Sequence, residues 1–177
     1  PEFKDYMKLM NSRGVTTVKE MGFDDFYGFD SFLKEKEEKK ELSLRTFFMS
    51  QPVGEGINIE HGKRMREKFQ GDFVRFSGYN RMTDGTVAST KGDLLEPYEG
   101  TDMHCSIQVD YPMIEKEVQL ADENGFRYSL HAQGDGAVHK VAGIFDKCQK
   151  KDGKLVNRHA VTDMEFSNPA DLKKMGE

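Results

Sequence analysis

The 177-residue sequence predicts an α/β fold built on a parallel sheet, and three observations carry that reading. Strand-like runs alternate with helical-period segments, as one helix followed by five strand–helix units. That alternation implies parallel strands covered by helices. Cap and turn residues stand at the junctions, and the length suits one domain.

The elements follow in order. Phe3, Met7 and Met10 recur at helical spacing, and "NSRG" ends that helix. "VTTVKEM" (15–21) is short and β-branched, a first strand. A helix is expected over about 24–40, with Phe26, Phe29, Phe32 and Leu33 inside. "LSLRTFFMS" (42–50) is the second strand, 58–69 a polar helix and "DFVRFSGY" (72–79) the third strand. A loop-rich stretch over 80–110 exceeds an ordinary connection, and loops of that length are usually functional or disordered. In the next helix Asp110 caps, Pro112 occupies the first turn and Gly125 stops it. "FRYSLHA" (126–132) is the fourth strand, followed by a helix over 134–151 with Asp135 as its N-cap. "LVNRHAVT" (155–162) is the fifth strand, before a short helix (167–176) capped by Ser167 or Asn168. Two architectures fit: an open doubly wound sheet, or part of a (β/α)8 barrel, which as a whole needs ~250 residues. Both ends suggest a piece cut from a longer chain.

Composition excludes several function classes. The net charge of -5, with no basic stripe, argues against a phosphate-backbone binder. "KEKEEKKE" (34–41) alternates in sign and reads as a solvated helix end. No apolar run approaches the roughly 18–20 residues of a membrane span, and no signal-peptide pattern is visible, so a cytoplasmic protein is expected. Cys105 and Cys148 fit no metal-binding spacing and are expected to be buried or free thiols.

Ligand sites of parallel sheets lie at the carboxyl ends of the strands. His131 ends the fourth strand, and His159 is expected near the end of the fifth. Neighbouring strands lie ~4.8 Å apart, so two imidazoles there could share one metal ion. Alternation places Ser129 and His131 on one face, with Tyr128 and Leu130 on the other, toward the helices. His61 and His139 are expected on solvated helix faces, and His104 lies in the long loop. "HAQGDGA" also permits a phosphate nest at Gly134–Gly136, although Asp135 would repel an anion.

These residues carry a resemblance. "HAQGDGAV" resembles the "HAIGDRAV" motif of the family-3 amidohydrolases, the group that includes N-substituted formamide deformylase and the YtcJ-like proteins. "SRGVTTVKEMG" resembles their "GVTTV" strand and "MTDGTVASTKGDLLEPY" their "ADGSLGSRTAALLEPY" loop. "NRHAVTDMEFSNPADLKKMG" resembles their "IEHAQLVDPEDIPRFAELG" segment. The resemblance implies a metal-dependent hydrolase on a distorted (β/α)8 barrel that cleaves C–N bonds of amides, formamides or cyclic ureides. It implies one or two Zn2+ or other divalent ions, a small amide-type substrate, and neither nucleic acid nor membrane as partner. The family's ligands are an HxH pair on strand 1, a carboxylated lysine on strand 4 and histidines on strands 5 and 6, with a strand-8 aspartate handling the proton.

Carried over, His131 matches the strand-5 ligand and His159 the strand-6 ligand, so this chain supplies strands 2 to 6 of a partial barrel. Asn80 stands where the bridging lysine is expected and cannot be carbamylated. Arg158 replaces the usual glutamate, while Asp84 and Gly85 match the motif's "DG", in which turn geometry alone is a sufficient role. The HxH pair and the strand-8 aspartate are not in this chain, so the chain by itself is expected to be inactive. Two alternatives stand beside this: a non-catalytic binding module on the same scaffold, and an open phosphate-binding domain. Two unpaired sheet edges lead us to expect dimerisation or edge-to-edge association.

Overall fold

Five strands form one parallel sheet in the order β1-β2-β3-β4-β7, which is their order along the chain. A computed structural model of the protein describes residues 2–22, 28–52 and 56–176. The strands are β1 (Thr17–Glu20), β2 (Arg45–Ser50), β3 (Val74–Met82), β4 (Tyr128–His131) and β7 (Ala160–Thr162). A doubly wound sheet reverses its strand order at a switch point. This sheet has no reversal, so it is the partial barrel and not the open alternative.

Residues 1–79 form one compact unit. It holds α1 (Glu2–Ser12), α2 (Phe29–Glu38) and α3 (Ile59–Lys68). Met7, Leu33, Leu44, Phe48, Phe69 and Val74 make its core, with Phe48 and Phe69 edge to face at 5.2 Å. Asn58 caps α3 by accepting the His61 N–H at 2.9 Å. The Glu37 carboxylate accepts the Phe73 and Val74 N–H groups, tying the end of α2 to the start of β3. His61 is buried with its ring edge against Phe76, so the solvated position expected for it is corrected: it faces the apolar side of its helix. The expected start of α2, including Phe26, lies outside the described residues.

Residues 80–177 form the second unit. Its helices are α4 (Tyr111–Glu123), α5 (Asp135–Asp146) and α6 (Pro169–Gly176). Asp110 caps α4 through the Met113 N–H at 2.9 Å, and Gly125 follows its end at φ 70°. Asn168, of the two expected candidates, caps α6 through the Ala170 N–H. Gly134 rather than Asp135 precedes the first turn of α5, since Asp135 is already helical. The expected fifth strand, 155–162, is shorter in the structure. Residues 150–155 turn back as a hairpin of β5 (Lys150–Lys151) and β6 (Lys154–Leu155), leaving only 160–162 in the sheet. No helix among the described residues is long and apolar enough to cross a membrane.

Candidate functional site

A buried ion pair beneath the sheet shows which way the side chains at the ends of β3 and β4 point. Arg81 grips the Glu117 carboxylate of α4 with two hydrogen bonds of 2.7 and 2.8 Å, and the Tyr128 hydroxyl donates to the same carboxylate at 2.7 Å. Arg81 and Tyr128 therefore face α4. Alternation sends Asn80, Ser129 and His131 to the opposite face. That face carries two buried polar atoms without a hydrogen-bond partner, Asn80 Oδ1 and His131 Nδ1, and Thr83 Oγ1, just beyond β3, is a third buried atom without one. Buried polar atoms are rarely left unpaired, and those that are need a reason such as an ion or a catalytic role.

Asp84 follows directly. Its side chain is fully buried. One oxygen accepts the Gln133 N–H at 3.0 Å, and the other accepts the Gly134 and Asp93 N–H groups at 2.9 Å each. The glycine-rich turn after His131 does form an anion nest, but the nest already holds the protein's own carboxylate, which removes the basis for phosphate at Gly134–Gly136. The two glycines are required by close packing: a Cβ on Gly134 would lie 2.1 Å from the Asp93 carbonyl oxygen, and one on Gly136 2.8 Å from it. Asp84 also stands 3.4 Å from His131 Nδ1, within ion-pair range but not aligned for a hydrogen bond. Asp84, and after it Asp163, raise the His131 imidazole above its ordinary pKa despite burial. Burial pushes the Asp84 carboxyl up, yet His131 and the three amides outweigh it and hold the group below its usual range.

His159 is placed differently from the sequence expectation. It precedes β7, and the register pairs His131 with Thr162, three positions further on. His159 thus sits at the level of Tyr128, whose N–H donates to its Nδ1 at 3.1 Å. Side chains alternate with a period of two, so an odd offset turns His159 toward the helices. There it stacks on Phe145 at 5.0 Å, with Nε2 3.0 Å from Asp122 Oδ1. The structure does not bring His131 and His159 to one point.

His159 instead joins Asp122 and Cys148 in a group whose donor atoms lie within 4.8 Å of one another, a spacing compatible with a divalent ion. In the folded chain these atoms have other partners. Because a backbone N–H occupies Nδ1, the proton of neutral His159 lies on Nε2, facing Asp122. Burial lowers the imidazole's pKa and keeps it neutral, with Asp122 opposing. Asp122 also accepts from Asn157 at 2.7 Å and from the Gln149 N–H at 2.7 Å, and burial raises the Cys148 thiol to about 12. This cluster locks α4 to the chain entering β7.

The long loop is tightly ordered. Gly85 N–H donates to Lys91, Leu94 N–H to His104, and Ser106 N–H to Thr90. A residue larger than glycine at 85 would place Cβ 2.6 Å from the Lys91 Cβ. His104 is exposed, with Nδ1 3.0 Å from the Leu94 carbonyl. Asp135 accepts the Leu95 N–H at 2.9 Å, which anchors the loop to α5. A cleft of about 350 Å3 opens here, walled by Met103, Ile107 and Val109 and by Asp93, which binds Lys140 at 2.6 Å and the Tyr111 hydroxyl. Arg158 is exposed. Cys105 is a free, half-buried thiol, as expected.

Solved structures share this fold. It is shared with an uncharacterized metal-dependent hydrolase from Pyrococcus horikoshii OT3, at 16% identity and TM-score 0.69, over 97% of this chain and 33% of that one. A second such hydrolase, from Pyrococcus furiosus, gives 18% identity and TM-score 0.70 over 97% and 34%. The protein LONG AFTER FAR-RED 3 of Arabidopsis thaliana is 21% identical over 187 residues, covering 96% of this chain and 30% of that protein. The chain thus spans about a third of the proteins it matches. No protein-family model matches it.

Sequence reasoning passed over Glu117 and Asp122. Both occupy the stripe Ile114, Glu117, Val118, Ala121, Asp122 that α4 buries, so a carboxylate at a core-facing helical position was the available signal.

Proposed function

We propose that this chain supplies the central strands of a metal-dependent hydrolase barrel of the family-3 amidohydrolase type, acting on C–N bonds of small amide-like substrates. One observation supports it above the others: His131 and Asn80 stand on the face turned away from α4 in a sheet whose fold is shared with metal-dependent hydrolases, and Asn80 Oδ1 is buried there without a hydrogen-bond partner. The donors fit one divalent ion, such as Zn2+, held by His131. They do not fit a lysine-bridged pair, because Asn80 has no amine to carbamylate. A bound ion supplies Lewis acidity and lowers the pKa of water. Asp84 holds the turn after His131 rigid and keeps Nδ1 beside a carboxylate, an arrangement that orients metal-ligating histidines. The cleft beside Lys140 and Tyr111 is our candidate for the substrate's non-reacting portion.

The test is elemental analysis of the intact protein after reconstitution with Zn2+, beside His131→Ala, with a panel of formamides, N-acyl amines and cyclic ureides. About one ion per chain, lost in the variant, together with release of amine from one substrate class, is the expected result. Metal retained by His131→Ala overturns the ligand assignment.

Asn80 favours a second reading, a binding module that keeps the scaffold without hydrolysis. Ligand binding with no turnover in the metal-loaded protein would establish it. We also propose that the outer edges of β1 and β7 associate with a second copy, since each pairs with a neighbour on one side in this sheet. A monomeric mass by light scattering at high concentration would refute that.

A further inference from the structure

We propose that Asp163, and not His159, is the residue the last strand presents beside His131, so that this face offers a divalent ion one imidazole and one carboxylate. The inference rests on the metal-dependent reading above and identifies its second ligand.

Three backbone relationships carry it. His131 pairs with Thr162, which makes Asp163 the first residue beyond the strand at the same end of the sheet. The Thr162 carbonyl accepts the Ala132 N–H at 3.1 Å. The Phe166 N–H donates to the Gln133 carbonyl at 3.0 Å. Asp163 is thus bracketed by bonds from its own flanks to the two residues that follow His131. It lies beyond β7 at φ 57°, a left-handed conformation that aspartate tolerates better than most residues, so the strand alternation that turns His159 to the helices ends before Asp163.

The side chains agree. Asp163 is exposed, and its carboxylate has no hydrogen bond or ion pair among the described residues. His131 Nδ1 stands 3.4 Å from Asp84, and close by in the chain that ends β3 Asn80 Oδ1 and Thr83 Oγ1 are buried without a hydrogen-bond partner. His159, in contrast, has both ring nitrogens engaged on the helix side of the sheet. Imidazole and carboxylate together suit Zn2+, Fe2+ or Mn2+. Catalytic zinc centres use three protein ligands and an open position. The pair is therefore a partial ligand set.

The experiment is titration of the intact, metal-free protein with Co2+, followed by visible absorption and calorimetry. The set is wild type, Asp163→Ala, Asp163→His and His159→Gln. We expect Asp163→Ala to weaken Co2+ binding at least tenfold and to alter the d–d bands. Asp163→His should restore binding with a nitrogen-richer spectrum. His159→Gln, where folded by circular dichroism, should bind as wild type does. If wild type binds and Asp163→Ala binds equally well, the inference falls and the metal-dependent reading stands. If neither wild type nor Asp163→His binds, both fall. Asp163 is exposed, so its variants are expected to fold and the Asp163→Ala comparison decides even if His159→Gln does not.

Discussion

Asp84 Oδ1 stands 3.4 Å from His131 Nδ1 while the same carboxylate accepts three backbone N–H groups, two of them from the turn that follows His131. One buried charge thereby sets both the path of the chain after β4 and the electrostatic surroundings of the imidazole. The third amide, from Asp93, ties the long loop to the same point. The loop's shape and the histidine's orientation are consequently not independent.

The two strand-level histidines should titrate on opposite sides of 6.5. Asp84 raises His131 above that value, and burial lowers His159 below it. The His131 interaction stabilises the fold fully below 6.5 and is lost as pH rises through its raised folded value. The His159 contribution runs the other way: it is present above 6.5 and lost as pH falls through its lowered folded value. Proton NMR titration of the metal-free protein, with each histidine assigned by substitution, checks the order. A His159 midpoint above that of His131 would contradict the structure.

Asp84→Ala should destabilise the fold by about 3 kcal/mol or more, because each abandoned buried N–H costs roughly 1–3 kcal/mol. Asp135→Ala, which frees one exposed amide, should cost about 1 kcal/mol or less. Urea unfolding of both variants gives the comparison, and equal costs would mean that Asp84 is not the clamp described.

Gly134→Ala tests the loop from the other side. Its new methyl would meet the Asp93 backbone at 2.1 Å, too close for side-chain adjustment to relieve. The loop must move or the turn must open, with a cost of about 3 kcal/mol and faster amide exchange at Gln133 and Gly134. Gly143→Ala, within the α5 helix that follows and with open space around it, should change stability by less than about 1 kcal/mol.

Much of the fold was legible in the residues because helix caps and periodicity are local. Asp110, Gly125 and Asn168 act where their types and positions indicated. The register of β7 was not legible. "LVNRHAVT" reads as one strand, and nothing local shows that Leu155 belongs to a hairpin and that only Ala160–Thr162 join the sheet. Three positions of register decide whether His159 faces a ligand or a helix, and that choice is made by Asp122 and Phe145, distant in sequence. The Asp84 contacts were illegible for the same reason, since its acceptors' partners lie up to 50 residues away.

The Arg81–Glu117 pair gives the sharpest test of how the site face is oriented. Their side chains are 15% and 6% exposed, and Tyr128 adds a third bond. Removing one member leaves the other as an uncompensated buried charge, so Glu117→Ala should cost about 3–5 kcal/mol. Replacing both, as Arg81→Met with Glu117→Leu, removes the charge problem and fills the space, so the double variant should be more stable than Glu117→Ala. It should still hold Asn80 and His131 on the opposite face, because strand alternation and not the ion pair sets that geometry. Urea unfolding measures the first expectation. Co2+ affinity measures the second: a double variant that folds but loses the metal would show that the pair, rather than the pleat, positions His131.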